Sequence, residues 1–554
     1  MDESGGQLGG RAEMGGPASM SEAATGGAAR DRTSISRSLV AAMVLFFSLM
    51  TATVVSRSFD PAAFNHDVGW VLYVAEQMLD GDRIYIDIVE ENPPLIFWIS
   101  QPSVLLGQAF GASPILVFNL MVLAGAALAG ALLYRVLCRG RPEASGVWAL
   151  SVVGFVIGFE ILAPGYEFGQ RENLFLIAVM PYLFGAAVRA DGRQLGKKLA
   201  VLVGLVAGMG LAIKPYFLLF WVVVEIVLFF SDRQAWKRTE NLCIVGVQAL
   251  YVFMVIGLTP GYLKMIEIAS SVYDSYGAPG SPMLLVHSSV AWYLVAAGLF
   301  VLVRPLAFDR QPRRFLLAGS LGFLAVALVQ GKGWDYHYDP LTAASGVLIA
   351  VILQGFAMRA DSLAKVLRFG SAGLFFSIWL LLDVAGASAL VQSSWNVVGP
   401  GRLQRTFVGD LTEVVKDHAW RQPVWFLSTS IVPAFPVVNL SEAQWSSRFC
   451  CLWLLPGLYS PQERASTPFA YREREEMGEL ERYLVDAVVE DLKSQPPTLL
   501  FVDQSPDRQG FGRSQIDYLE YFLRDPRFAS LFENYRNLGE VGPYRVYKRK
   551  RLGE

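Results

Sequence analysis

Charge is what this chain has little of. Only 17% of its 554 residues are Asp, Glu, Lys or Arg, while 53% are hydrophobic. A soluble globular protein carries about 25% charged residues, so the deficit points to a chain threaded through a membrane. The two signs nearly balance, 47 basic against 49 acidic, for a net charge of -2. No basic field is available to hold nucleic acid. Cysteine is scarce: Cys138 and Cys243 stand alone, Cys450 and Cys451 are adjacent, and no CxxC pair occurs. None has metal-ligand spacing, and neighbours in sequence are too close for an ordinary disulfide. There are four histidines and no HExxH. No internal repeat is evident, which weakens a transporter built from duplicated halves. An early cleavable signal is also lacking. The first 36 residues are rich in Gly, Ala and Ser and cannot bury a core. The first apolar run comes too late for a signal peptide, and no small-residue cleavage site follows it. Residues 1–36 are therefore expected to be a disordered cytoplasmic tail, and the first run an uncleaved anchor.

Long apolar runs are what the chain has in quantity. A helix needs about 20 apolar residues to cross about 30 Å of hydrocarbon. Such runs begin near residues 39, 114, 146, 174, 199, 216, 242, 284, 315, 341 and 369, which gives about eleven spans. The stretch 93–111 is apolar but broken by Pro102, Gly107 and Gly111, and reads as an interfacial or re-entrant helix. Lys and Arg collect in cytoplasmic loops. With the N-terminus inside, the inner segments hold clusters such as Arg135/Arg139/Arg141 and Arg233/Lys237/Arg238, while the short outer loops hold Arg171, Lys214, Lys264 and Lys332, one each. A crossing at 93–111 would invert this alternation. The expected architecture is mainly α: a polytopic membrane helix bundle over 37–391, with an acidic first outer loop at 58–113. A small extracytoplasmic α/β domain follows over 392–554. Its strands are expected near 424–438 and 498–503, helices near 474–493 and 514–524, and a terminal hairpin near 535–549.

The outer loops carry the chemistry. The first packs Asp67, Asp80, Asp82, Asp87, Glu90 and Glu91 among Trp70, Tyr73, Tyr85 and Trp98, and runs into Pro93-Pro94-Leu95. Asp67 reads either as a general base at the mouth of a membrane cavity or as the N-cap of the following segment, whose helical apolar spacing suggests a helix along the membrane surface. Glu90 and Glu91 read either as solvated neighbours or as a pair that raise one another's pKa or hold a cation. The second outer loop, PGYEFGQREN, brings Glu167, Gln170, Arg171 and Glu172. It is either a polar turn with an internal ion pair or the rim of a site, with Arg171 on a phosphate. Lys214 suits a phosphate or snorkels. GKGWDYHYDP places Lys332 and His337 among aromatics and two Asp. An aromatic belt explains the Trp and Tyr but not the Lys and His, which favour a lipid-phosphate site. A sugar on a lipid phosphate already has an acidic leaving group, so transfer needs a base for the acceptor and cations for the phosphate. One carboxylate loop with Arg171, Lys214, Lys332 and His337 supplies both.

The passages DVGWVLYVAEQMLDGDRIYIDIVEENPPL, FGQRENLFLIAVMPYLF and KGWDYHYDP resemble polytopic glycosyltransferases of the GT-C type. The likeness is to the protein mannosyltransferase-related branch, which includes bacterial lipid A aminoarabinose transferases, and it covers roughly residues 40–390. It implies a polyprenyl-phosphate-linked sugar donor, inverting transfer to a lipid, glycan or protein acceptor, and Asp67 as the catalytic carboxylate. It implies no required cofactor, and no dedicated metal cage is visible. Family members often have Asp-Glu where this chain has Asp67-Val68, so the second acidic role falls to Glu91, Glu167 or Glu172. Lys is frequent where Asn92 stands, which shifts phosphate binding to Arg171, Lys214 and Lys332. Two other readings predict different features. A polysaccharide polymerase or ligase of another fold would use Arg and His in large late loops. A lipid or solute transporter would use ionisable residues at mid-span, for which Glu160, Glu225 and Asp383 are the candidates.

Overall fold

One helix, Arg171–Ala190, is buried at almost every position and organises the bundle. The computed structural model describes residues 64–140, 146–231, 233–277, 282–303, 310–357 and 407–551, with a few residues between 48 and 58. Its first half is helical: α1 (His66–Asp80), α2 (Leu95–Phe110), α3 (Pro114–Gly140), α4 (Gly146–Leu162), α5 (Arg171–Ala190), α6 (Lys197–Ala212), α7 (Leu218–Ser231), α8 (Thr239–Leu258), α9 (Gly261–Val272), α10 (Ser288–Val303), α11 (Arg310–Gln330) and α12 (Asp339–Ala357). The apolar runs from near 114 to near 341 each fall on one of α3–α8 and α10–α12. Those beginning near 39 and 369 lie largely or wholly outside the described residues, as does Asp383.

Helix α5 packs against α3, α6, α11 and α12. Small residues let the backbones close up, as association between helices in lipid requires. A Cβ on Gly204 would come within 2.4 Å of the Glu240 carbonyl oxygen, and one on Gly210 within 2.4 Å of the Ala178 Cβ. Among the described residues, α3, α5, α8 and residues 313–330 of α11 are long and apolar enough to cross a membrane. The outward faces carry bare apolar side chains such as Phe230, Phe253, Leu258 and Leu302, a surface that suits lipid and not water. The bundle is thus a polytopic membrane fold.

The C-terminal part holds α13 (Phe407–Ala419), β1 (Pro423–Leu427), α14 (Ala434–Ser441), β2 (Gln444–Trp445), α15 (Glu479–Ser494), β3 (Leu499–Asp503), α16 (Tyr518–Leu523), α17 (Pro526–Phe532), β4 (Tyr535–Val541) and β5 (Tyr544–Arg549). The sheet order is β2-β1-β3-β5-β4. Strands β1, β2 and β3 run parallel, and β5 and β4 close the sheet as an antiparallel hairpin. The strand expected near 424–438 stops at Leu427. Beyond it, Pro433 and Pro436 offer no N–H to a ladder, and the chain forms α14 instead. Helix α9 was not anticipated, although Tyr262, Met265 and Val272 lie on one buried face at helical spacing.

Helix α1, expected along the membrane surface, is packed between two cores. Both its sides are covered. Phe64, Val68 and Leu72 join the bundle core, while Trp70, Val71 and Val74 join the core of the C-terminal domain. Asn439 donates to the Gly69 carbonyl at 3.0 Å, and the Trp445 N–H donates to the Tyr73 hydroxyl at 3.0 Å. The Phe435 ring meets Trp70 edge-on at 5.1 Å. Further on, the Val89 N–H donates to the Arg448 carbonyl at 2.8 Å. On the opposite side of the cleft, Gly457 lies against the end of α9, where a Cβ would meet the Val272 carbonyl oxygen at 2.3 Å. Gly457→Ala should therefore force the domain off α9, at about 1–3 kcal/mol for overpacking. The expected result is a lower Tm. A wild-type Tm would contradict this close packing.

Candidate active site

The end of the bundle that meets the C-terminal domain gathers the polar residues of distant loops. Asn65 caps α1: its Oδ1 accepts from the Asp67 and Val68 N–H groups at 2.9 and 3.2 Å. The capping role is thus filled by Asn65, and the Asp67 side chain is released for other contacts. Its Oδ2 accepts from Gln170 Nε2 at 2.8 Å and from Arg171 Nη2 at 3.2 Å. Its Oδ1 lies 3.6 Å from His66 Nε2. Burial works against the Asp67 charge, but His66, Arg171, the Gln170 amide and Lys214 outweigh it and hold the carboxyl below its usual range. Glu167 accepts from Asn65 Nδ2 at 2.7 Å and from Gln170 at 3.2 Å. Burial and the adjacent Asp67 charge push its carboxyl up to about 7.

Arg171 is fixed from a second side. It donates to Asn92 Oδ1, and the Asn92 amide is oriented by Glu90. Glu90 Oε1 accepts from the Asn92 N–H at 2.7 Å and from Asn92 Nδ2 at 2.6 Å, and its Oε2 accepts from Trp70 Nε1. Glu90 is fully buried, so it is not a solvated loop residue. Burial, and then the charge of Glu91, push its carboxyl up, against the pull of the Trp70 and Asn92 donors. Glu91 shares the raised direction, again by burial first, with Lys332 and Arg171 opposing it. Glu91 Oε1 accepts from the Tyr273 hydroxyl at 2.7 Å, while its buried Oε2 has no partner.

The two lysines differ in how far they are committed. Lys214 donates to Glu172 Oε1 at 2.6 Å and to Gln330 Oε1 at 3.2 Å. Lys332 sits over the rings of Tyr273 and Trp334, with Nζ at 3.1 and 4.5 Å from their centroids. No carboxylate among the described residues pairs with it at salt-bridge distance. Burial pushes its ammonium down, opposed by Glu91 and reinforced by Lys214 and Arg171, to about 7. His337 is buried, with Nδ1 unpartnered. Burial and the Lys214, Lys332 and Arg171 charges hold it well below the usual imidazole range, so it is neutral.

These groups surround one cavity of about 710 Å³. Asp67, Glu91, Glu167, Arg171, Lys214, Lys332 and His337 all line it. Glu172 does not: it is fully buried behind Lys214 and holds that lysine. Among the described residues, no three His, Cys, Asp or Glu side chains gather to hold a metal. Sequence reasoning undervalued Glu90 and Asn92 and missed Tyr273, Trp453 and the rest of the wall that the C-terminal domain supplies. Those residues lie some 200 to 400 positions away from the first loop, with no motif to join them. Of the mid-span candidates, Glu225 pairs with Arg238 at the far end of the bundle. Glu160 lies near the site end, its backbone carbonyl accepting from Asn173 at 2.6 Å.

No protein-family model and no curated protein sequence matches the chain. Solved structures do. ArnT from Cupriavidus metallidurans in the apo state aligns with TM-score 0.54 and 13% identity, covering 92% of this chain and 98% of that one. The same transferase bound to undecaprenyl phosphate aligns with TM-score 0.52 and 12% identity, covering 91% and 98%. The fold is therefore of the GT-C type.

The Glu90 network predicts its own sensitivity. In Glu90→Gln, the new NH₂ must face one of three N–H donors, and a hydrogen bond contributes about 0.5–1.5 kcal/mol. The expected outcome is a lower Tm together with altered Trp70 fluorescence. A variant with wild-type Tm and emission would show that Glu90 does not order this corner.

Proposed function

We propose that this protein is a membrane glycosyltransferase that moves a sugar from a polyprenyl-phosphate donor to an acceptor hydroxyl on the extracytoplasmic side. The observation that carries the reading is the convergence on one cavity of an ionised carboxylate, Asp67, with three cations, Arg171, Lys214 and Lys332. The GT-C-type fold supports it, as does the undecaprenyl phosphate bound by a protein of similar fold. The positive-inside pattern of the loops favours the extracytoplasmic side and a cytoplasmic N-terminus.

In this reading the donor phosphate lies against Lys332, the one of the three with no carboxylate partner among the described residues, with Lys214 and Arg171 adding to the field. Preorganised cations in a cleft shielded from water stabilise the charge that grows on the leaving phosphate. The acceptor oxygen attacks the anomeric carbon from the face opposite the phosphate. One C–O bond forms, the bond from carbon to phosphate oxygen breaks, and polyprenyl phosphate leaves with its electron pair. The acceptor proton passes to Asp67 Oδ1, the oxygen not engaged by Gln170 and Arg171. Glu91 and Glu167 hold hydroxyls of the incoming groups, and Glu172 keeps Lys214 in place. His337, uncharged, closes the wall behind the lysines. The reaction so written needs no cofactor.

A transporter would place its ionisable groups along a path through the bundle. Here the groups that line the cavity cluster at one end beside an α/β domain, while Glu225 is committed to Arg238 at the other, which favours the transferase.

Asp67→Asn is expected to lower donor-dependent release of polyprenyl phosphate by at least about 100-fold, the scale of a positioned base, when membranes are offered a panel of polyprenyl-phosphate sugars. Turnover at the wild-type rate would remove Asp67 from this role. Lys332 gives a separate, pH-resolved test. Its ammonium loses its proton as pH rises, whereas Lys332→Arg keeps its charge. Wild-type affinity for polyprenyl phosphate should therefore fall relative to Lys332→Arg between about pH 6 and about pH 9. Parallel profiles would contradict a phosphate site at Lys332.

A further inference from the structure

We propose that the cavity wall supplied by the C-terminal domain docks a neutral carbohydrate acceptor. The inference rests on the glycosyl-transfer reading of the same cavity and names the class of its second substrate.

Charge is divided sharply between the two walls. Arg171, Lys214 and Lys332 all come from the helix bundle. The lining residues of the C-terminal domain are Thr429, Ile431, Cys450, Cys451, Trp453 and Gln509, and none carries a charge. The hydrogen bond that the Cys450 thiol donates to Cys451, with burial, pushes that thiol up, so it too stays neutral. A phosphorylated or acidic acceptor would meet no cation on this side. A neutral polyol needs none.

The polar atoms left without partners fit the same chemistry. Trp453 is 4% exposed and lines the cavity, and its indole N–H has no acceptor among the described residues. The Tyr276 hydroxyl and Glu91 Oε2, on lining residues as well, are also unpartnered. Buried polar groups are normally satisfied. One donor, one acceptor and one hydroxyl, on residues that line a single space, are complementary to the hydroxyl groups of a sugar ring, each of which both donates and accepts. The aromatic faces nearby suit its apolar C–H face.

The subsite is also placed for transfer. Tyr273 joins three of the participants: its hydroxyl donates to Glu91 at 2.7 Å, its face lies under Lys332, and Trp453 packs against it in a T-shaped pair at 5.9 Å. A ring held at Trp453 is one aromatic residue away from both Lys332 and Glu91.

The test uses the full-length protein in lipid nanodiscs. The probes are polyprenyl phosphate, alkyl glycosides of neutral hexoses and pentoses, and a phosphorylated glycoside. Neutral glycosides should bind in preference to the phosphorylated one. Trp453→Phe, which keeps a ring but loses the N–H, and Gln509→Ala, at an exposed position, should each weaken glycoside binding by about three- to tenfold, the worth of one hydrogen bond. Affinity for polyprenyl phosphate should stay within about twofold. The proposal is overturned if wild-type protein binds polyprenyl phosphate but no neutral glycoside, if the phosphorylated glycoside binds more tightly, or if neither variant changes glycoside binding. It is equally overturned if a polyprenyl-phosphate sugar displaces the glycoside and polyprenyl phosphate does not, because the subsite would then belong to the donor's own sugar. Failure of wild-type protein to bind polyprenyl phosphate would instead remove the glycosyl-transfer reading.

Discussion

The ion pair between Asp67 and Arg171 ties the two halves of the site together. Asp67 begins α1 and Arg171 begins α5, 104 positions apart, yet they meet at 3.2 Å. With side chains 22% and 7% exposed, neither charge is fully solvated. Removing one partner of such a pair leaves the other uncompensated, which costs more than the pair itself contributes. Around it stand the supports: Asn65 caps the helix, Gln170 braces the carboxylate, and Glu90 fixes Asn92, which fixes Arg171. Helix α1 then carries that geometry into both cores, because one of its faces belongs to the bundle and another to the C-terminal domain.

The same arrangement divides labour among the cations. Arg171 is bound to Asn92 and Asp67, and Lys214 to Glu172 and Gln330. Both are structural charges that contribute field. Lys332 rests on aromatic faces with no carboxylate at salt-bridge distance among the described residues, so an incoming anion can claim it without breaking an existing ion pair. Cation–π contacts of this kind contribute about 0.5–2 kcal/mol, while burial and the nearby Lys214 and Arg171 charges lower the lysine's pKa.

Much of this was legible in the sequence because it is local or periodic. Runs of apolar residues gave the bundle helices from Pro114 to Ala357. The acidic loop, PGYEFGQREN and GKGWDYHYDP supplied six of the expected residues that line the cavity, Asp67, Glu91, Glu167, Arg171, Lys332 and His337, and the short link at Lys214 a seventh. What was not legible depends on tertiary placement. Glu90 and Glu91 are neighbours in sequence and look alike, but one is enclosed by Trp70 and Asn92 and the other opens on the cavity. Glu172 and Arg171 are also adjacent, and the helical turn between them sends one behind the wall. The apolar stretch after β1 reads as a strand until its two prolines are weighed. Helix α1 reads as amphipathic, yet its second covering comes from residues beyond 430, which no local pattern announces.

The central claim is that a lipid phosphate is held at Lys332 within reach of Asp67. An experimental structure of the full-length protein with polyprenyl phosphate tests it most directly. The account predicts phosphate density within hydrogen-bonding distance of Lys332 Nζ, with the polyprenyl chain leaving along the bundle surface. Phosphate bound elsewhere, with Lys332 still lying on Tyr273 and Trp334, would contradict it.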